Sequence, residues 1–233
     1  MTRAGRTDAL PDEQDKSRAV EEMFDRIAPR YDVLNRLMTL RMDMHWRRIT
    51  VRQLAMTPGS IVVDLACGTG DLCRTLASAG YRPVGIDFSA GMLRAARARA
   101  PLVRADALRL PVRDAACDGV TCGFGLRNFS DIEPAIAECA RALRPGGRIA
   151  LLEVAEPKSP ALRALHGVYF RHIVPFVGGL LSDKPAYRYL PASTAYLPEV
   201  PDLLMMMTRA GFVSVSHRML GLGAAQLITG TRS

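Results

Sequence analysis

IVVDLACGTGD, residues 61–71, is the stretch on which the fold turns. Ile61 to Ala66 is a short apolar run of strand character, Gly68 and Gly70 mark a tight turn, and a helical pattern follows at once from about Gly70 to Ala79. A strand that passes through a glycine turn into a helix is the opening unit of an α/β sheet, and the crevice beyond such a strand is where these sheets bind ligands. A dinucleotide fingerprint needs G-x-G-x-x-G, whereas Gly68-Thr69-Gly70 is followed by Asp71, Leu72 and Cys73, so the third glycine is missing. A carboxylate at Asp71 also opposes a pyrophosphate at that helix N-terminus. A ligand without phosphates fits better.

Downstream, apolar runs alternate with helical segments. The strands are RPVGID (82–87), Leu102–Arg104, CDGVTCGF (117–124) and RIALLEV (148–154), with helices from Ser89 to Ala100 and from Asp131 to Leu143 between them. Short connections between alternating strands and helices predict a parallel sheet with helices on both faces. The last two runs, GFVSVSHRML (211–220) and AAQLITGTR (224–232), meet through Gly221-Leu222-Gly223 and read as a hairpin. The whole is a mostly parallel seven-stranded α/β sheet with an antiparallel C-terminal hairpin. Upstream, Val20, Met23, Phe24 and Ile27 recur at helical spacing, Pro29 interrupts, and a second period runs from Leu34 to Ile49. Residues 1–57 are therefore a helical N-terminal cover, and 58–233 the sheet domain with an insert at 156–198. The first fifteen residues are polar and carry no apolar core of a secretory signal.

Candidate ligand groups sit at successive strand ends. Asp87 closes the second strand, where a carboxylate accepts both hydroxyls of a ribose, and Asp106-Ala107 follows the third, where an acidic group and a backbone amide meet an adenine edge. Single aspartates at such positions usually cap elements. Three of them, Asp64, Asp87 and Asp106, behind one Gly-Thr-Gly loop form a set that points to an adenosyl cofactor.

The 233 residues carry 31 Lys+Arg against 23 Asp+Glu, a net charge of +8, and are 48% hydrophobic. That balance excludes a disordered chain and admits an anionic partner. Half of the excess lies after residue 155, and all but three of the basic residues are arginine. A nucleic-acid binder has only this charge in its favour, because the aromatic residues do not interleave with the arginines as a stacking platform requires. Cys67, Cys73, Cys117, Cys122 and Cys139 are odd in number and form no C-x-x-C pair. They predict reduced core thiols in a cytoplasmic protein, with no metal. Ala161 to Leu181 is the most apolar long stretch, interrupted by Arg163, His166, Arg171, His172 and Pro175, and suits a bilayer surface or a pocket cover rather than a span.

VVDLACGTGD (62–71), VGID (84–87), ADALRLP (105–111) and LRPGGRIALLE (143–153) resemble the motif series of class I, Rossmann-like, S-adenosylmethionine-dependent methyltransferases. EMFDRIAPRYDVLNRLMT (22–39), Trp46, FGLRNFSD (124–131) and YRYLPAS (187–193) are similar to the menaquinone/ubiquinone C-methyltransferase family, over about residues 18–218. The resemblance implies methylation of a ring carbon of a prenylated hydroquinone, with demethylmenaquinol as the first substrate. A ubiquinone precursor and a soluble phenolic or polyketide substrate are the alternatives. It implies S-adenosylmethionine held by Asp64, Gly68, Thr69, Gly70, Asp87, Asp106, Ala107 and Gly123. It places Arg127 and Asn128 against the quinol and Tyr31 with Asp32 over both ligands.

A ring carbon becomes a good nucleophile only when a neighbouring phenol, of pKa about 10, loses its proton. Arg127 is the expected cation for the phenolate, and the proton acceptor is left open among water, Tyr31, Asp32 and His45. Peripheral contact with the inner face of the cell membrane goes with a prenylated substrate, and a homodimer is compatible with the sequence. The chain departs from the family pattern at Thr39, usually Ser, at Asp43, usually His, and at Val154-Ala155, usually Phe-Ser.

Overall fold

The computed structural model describes residues 16–157 and 192–233, together with 159, 160, 167 and 189. The N-terminal leader, the stretch 161–181 apart from residue 167, and Tyr187 lie outside the described residues. Four helical pieces lead in: α1 (Lys16–Ile27), a 3-10 turn (Ala28–Arg30) set by Pro29, α2 (Tyr31–Met38) and α3 (Met42–Leu54). The sheet follows as β1 (Ile61–Leu65), α4 (Asp71–Ser78), β2 (Arg82–Asp87), α5 (Ala90–Ala95), β3 (Leu102–Arg104), β4 (Cys117–Gly123), α6 (Ile132–Ala142) and β5 (Leu143–Val154). The described chain closes with α7 (Val200–Arg209), β6 (Phe212–Leu220) and β7 (Ala225–Arg232).

The seven strands lie in the order β3-β2-β1-β4-β5-β7-β6, with β1 to β5 parallel to their neighbours and β7 antiparallel to both β5 and β6. The predicted hairpin is present, but its second strand is the inner one. β7 is buried through Ala225–Ile228 while β6 alternates between exposed and half-buried positions at the sheet edge. β1 and β4 read as continuous apolar runs because both faces are covered. One face packs Val63, Leu65 and Ile149 against Ile136, Leu203 and Met207 of α6 and α7. The other packs Val62, Ala150 and Leu227 against Leu72 and Leu76 of α4 and against Trp46, Val51 and Leu54 of α3. α3 thus fills one face of the sheet, whereas α1 and the 3-10 turn form a separate cluster with Met92 and Tyr189.

One helix is shorter than its sequence pattern predicts. The segment expected to run to Ala100 leaves the helix at Ala96, which adopts an extended conformation. Arg97 N–H then donates to the Thr69 carbonyl at 3.1 Å, and Ala98 packs against Gly70. The helical periodicity is overridden because the chain is used to buttress the glycine loop.

Gly70 has φ +82°, and a Cβ there lies 2.5 Å from the Cβ of Ala98. Gly146 has a similar φ of +78° with nothing within 4 Å. Gly146→Ala is expected to cost about 1 kcal/mol from its backbone conformation alone, and Gly70→Ala about 2–3 kcal/mol because the overlap adds to it. Urea unfolding of the two variants checks the difference, and equal losses contradict the buttressing role of Ala98.

Candidate functional site

The carboxyl ends of β1 to β4 form the floor of a cleft of about 840 Å³, partly open to solvent, and α1 with Tyr31 forms its cover. β1 leaves the sheet through Ala66 (φ +48°), Gly68 (φ +55°) and Gly70 (φ +82°), a turn that brings backbone rather than side chains to the cleft. The turn is tied to the next strand by Asp87, whose Oδ2 accepts from Gly68 N–H at 2.7 Å while Oδ1 accepts from Ser89 N–H at 2.8 Å. Burial raises the Asp87 pKa against the pull of these amides. Each oxygen keeps a free lone pair for a further donor. Asp106 accepts from Leu108 N–H at 2.9 Å and, like Ala107, lines the cleft.

The cover is held down by Asp25 of α1, which accepts from Gly91 N–H at 2.8 Å at the start of α5. A Cβ on Gly91 lies 2.8 Å from Asp25, so only glycine lets α1 approach this closely.

The donor set fits an adenosyl sulfonium. Among the described residues that line the cleft there is no Lys or Arg, while Glu21, Asp87 and Asp106 are acidic. Such a lining repels phosphates and favours a cation flanked by an uncharged nucleoside. The remaining wall is largely apolar, with Phe24, Ile86, Phe88, Met92 and Phe129.

A second, smaller cavity adjoins the cleft at the same loop. It shares Tyr31, Ala66, Gly68 and Gly123 with the cleft and adds Arg47, Asp64, Thr69 and Asp71. Asp64 is 1% exposed, accepting from the Thr121 hydroxyl at 2.8 Å and the Cys73 thiol at 3.3 Å. Burial pushes its carboxyl up to about 7, against those two hydrogen bonds. Burial likewise raises the Tyr31 phenol, which stays protonated at neutral pH.

Of the residues singled out in the sequence, Tyr31, Gly68, Asp87, Asp106, Ala107, Gly123 and Asn128 line the cleft, and Asp64 and Thr69 line the smaller cavity. Asp32, Gly70 and Arg127 line neither. Asp32 accepts a very short hydrogen bond from the Thr69 hydroxyl and faces Arg36 at 3.8 Å and Arg74 at 3.9 Å, so it braces the loop from behind.

Arg127, the cation expected at the substrate, is buried behind the wall. Its Nη1 pairs with Glu153 in a very short contact and donates to the Phe124 carbonyl at 2.8 Å, and its Nε donates to Ser193 at 3.0 Å. Glu153 is 0% exposed and also accepts from Arg127 N–H at 3.2 Å. A guanidinium taken out of water must be paired, and this pairing turns it away from the cleft. Its neighbour Asn128 does face the cleft, and the Tyr189 hydroxyl donates to Asn128 Oδ1 at 3.1 Å, which leaves the amide nitrogen as the free donor.

The sequence reading passed over Arg47, the partner role of Glu153 and the brace of Asp25. A signal existed for the first: Asp43 and Arg47 interrupt the apolar stripe Trp46, Thr50, Val51, Leu54 at helical spacing, which places charge on a buried face.

Residues 12–232 match the model of the ubiE/COQ5 methyltransferase family. A demethylmenaquinone methyltransferase from Roseiflexus castenholzii is 43% identical over 97% of this chain and 98% of its own length. A ubiquinone/menaquinone biosynthesis C-methyltransferase from Syntrophotalea carbinolica is 43% identical over 91% of this chain and 93% of its own. In fold, the chain is similar to the crystal structure of a Thermotoga maritima SAM-dependent methyltransferase, a possible histamine N-methyltransferase according to its description. That match has a TM-score of 0.61 and 18% identity over 91% of this chain and 99% of that one.

Two outcomes follow from the buried charges. Arg127→Met leaves the Glu153 carboxylate buried and unpaired, and is expected to cost about 3–5 kcal/mol in urea unfolding. A loss below 1 kcal/mol contradicts the pairing. For Asp64, the folded pKa of about 7 lies above the unfolded value of 3.8, so its ionisation opposes folding. That opposition is absent near pH 4, grows as pH rises to about 7 and is then constant. Asp64→Asn removes it, so stability of the variant relative to the wild type should rise by up to about 4 kcal/mol between pH 4 and pH 8.

Proposed function

The chain belongs to the ubiE/COQ5 methyltransferase family, and from that premise we propose that it is an S-adenosylmethionine-dependent C-methyltransferase of quinone biosynthesis that converts demethylmenaquinol to menaquinol. The observation that carries this reading is the cleft itself: acidic at the strand ends and, among the described residues, free of lysine and arginine, apolar along its walls, and bordered by Tyr31 and Asn128. When bound, S-adenosylmethionine supplies an electrophilic methyl group on a sulfonium.

The chain's own residues bind and orient. Asp87 takes the ribose hydroxyls on the lone pairs its backbone amides leave free, and Asp106 with Ala107 borders the adenine. Gly68 and Gly123 keep the wall thin where the reacting groups meet. Asn128 directs an N–H at a ring oxygen of the quinol and favours the phenolate formed there when the proton leaves to water, whose charge then passes to the neighbouring carbon as it takes the methyl group, and the Tyr189 hydroxyl holds the amide in that orientation. Arg127 serves this step through position: its pairing with Glu153 and the Phe124 carbonyl fixes the short turn that carries Asn128. Phe24 and Phe129 exclude water from the ring.

A prenylated substrate calls for contact with a bilayer surface. Among the described residues no helix is long and apolar enough to cross a membrane. The apolar stretch 161–181, with Arg163 and Arg171 for the headgroups, supports a peripheral contact by composition. The five unpaired, buried cysteines support a reducing, cytoplasmic setting. Every group named above comes from one chain, so the reading does not call for a homodimer.

Purified protein with S-adenosylmethionine and chemically reduced demethylmenaquinone in detergent should yield menaquinol by mass spectrometry. Cofactor binding without product contradicts the assignment, and faster turnover of a ubiquinone precursor or of a phenol without a prenyl tail contradicts the substrate. Asn128→Ala should lower kcat by about 100-fold with cofactor affinity unchanged.

A further inference from the structure

Two turns at the cleft end of the sheet carry exposed leucines on left-handed backbone. Leu40, between α2 and α3, has φ +50° and is 66% exposed, and Leu222, between β6 and β7, has φ +57° and is 81% exposed. Arg41 beside the first is also left-handed, at φ +63°. For a residue other than glycine that backbone costs about 1–2 kcal/mol, and an exposed leucine buries little in return, so folding gains from neither turn. Val33 and Leu37, four residues apart on one face of α2, and Met42 at the start of α3 are exposed as well. The corner between the two helices thus has an apolar tip.

Contacts along the chain fix where the tip lies. Asp32 ties α2 to the glycine loop after β1, and the turn after β6 packs on α3, where a Cβ on Gly221 lies 2.5 Å from the Trp46 ring. Phe88, exposed just after β2, lines the cleft at this same end. From there α3 runs to the opposite end of the sheet, since Met56 beyond its last turn reaches Gly119 near the start of β4. Arg41, His45, Arg48 and Arg52 are exposed and follow at helical spacing, so one face of α3 is basic from the tip downward. Arg41 even stands at the N-terminus of α3, where the helix dipole disfavours a cation. Among the described residues Arg41, Arg48 and Arg52 have no carboxylate partner, and the two acids of these helices, Asp32 and Asp43, are engaged by Thr69 and Arg47.

We propose that the corner of α2 and α3, together with the Leu222 turn, docks on a bilayer that carries anionic lipids, with Leu40 and Leu222 entering the acyl boundary and Arg41 and Arg48 meeting the headgroup phosphates. An apolar tip bordered by cations without carboxylate partners matches a surface that is apolar within and anionic at its edge. At 1.5 Å per residue Arg48 lies about 9 Å along α3 from Met42 and Arg52 about 15 Å, so Arg52 stands beyond the screening length of about 8–10 Å. The proposal rests for its purpose on the prenylated substrate of the reading above, because the cleft opens at the end of the sheet that meets the bilayer.

Flotation of the full chain with vesicles, without quinol, is the test. The wild type should bind vesicles of phosphatidylcholine with phosphatidylglycerol roughly 10-fold or more tightly than phosphatidylcholine alone. Leu40→Asn/Leu222→Asn should weaken binding to the anionic vesicles roughly 10-fold or more. Its thermal stability should be equal or higher, since asparagine accepts left-handed backbone better than leucine. Arg41→Gln and Arg48→Gln should each cost about 5-fold in vesicle binding, and Arg52→Gln less than about 2-fold. Unchanged affinity for S-adenosylhomocysteine shows that each variant is folded. A wild type that does not float, a leucine variant that floats as the wild type does, or an Arg52→Gln loss equal to that of Arg41→Gln overturns the proposal. So does a leucine variant whose mass in sedimentation falls from dimer to monomer, because the tips then join two copies of the chain. Turnover of demethylmenaquinol in detergent is measured separately, so absent vesicle binding with turnover kept overturns this proposal alone.

Discussion

The hydrogen bond from Gly68 N–H to the Asp87 carboxylate is the constraint on which the rest of the site depends. It joins the turn after β1 to the end of β2, so the two strand ends that face the ligand cannot move independently. The turn itself passes three times through left-handed backbone, at Ala66, Gly68 and Gly70, and holds that shape because it is braced from three directions. Asp87 accepts from Gly68 at the cleft, Asp32 of α2 accepts from the Thr69 hydroxyl, and Arg97 with Ala98 holds Thr69 and Gly70 from the chain after α5. A strained loop persists where its surroundings over-determine it, and here the bracing leaves backbone facing the cleft.

Buried charge organises the two walls around that loop. Arg127 with Glu153 behind one wall, and Arg47 with Asp43 behind the other, are both removed from water and each is paired. The difference between them lies in what is left over. Arg127 spends its hydrogen bonds on Glu153, the Phe124 carbonyl and Ser193, and so acts on the neighbouring backbone. Arg47 has Asp43 as its hydrogen-bonded partner and leaves its buried Nε without one. Two arginines of similar burial therefore differ in their pairing, one tied to a second strand and to a turn and the other to a carboxylate of its own helix.

Much of this was legible from residue patterns. The strands at 61–65, 82–87 and 102–104 follow directly from apolar runs bounded by turn residues, and the missing third glycine with Asp71 correctly separated an adenosyl site from a dinucleotide one. The extent of α5 was not legible, because its periodicity runs on to Ala100 while a long-range contact with Thr69 draws the chain off at Ala96. The placement of Arg127 was not legible either. Its position after a strand end puts the backbone at the cleft, but only the neighbouring strand shows that Glu153 waits on the far side, and local spacing carries no information about a partner 26 residues away.

The sequence by itself determined the repeating strand and helix order, the glycine turn, the carboxylates at successive strand ends and hence the cofactor class, since each of these is a matter of local periodicity and turn chemistry. Only the tertiary structure decided that β7 lies inside β6, that α3 belongs to the face of the sheet, and that Asn128 rather than Arg127 meets the cleft. These depend on which groups leave water together. A buried charge takes the direction of its partner, and that partner is brought beside it by the fold rather than by the chain.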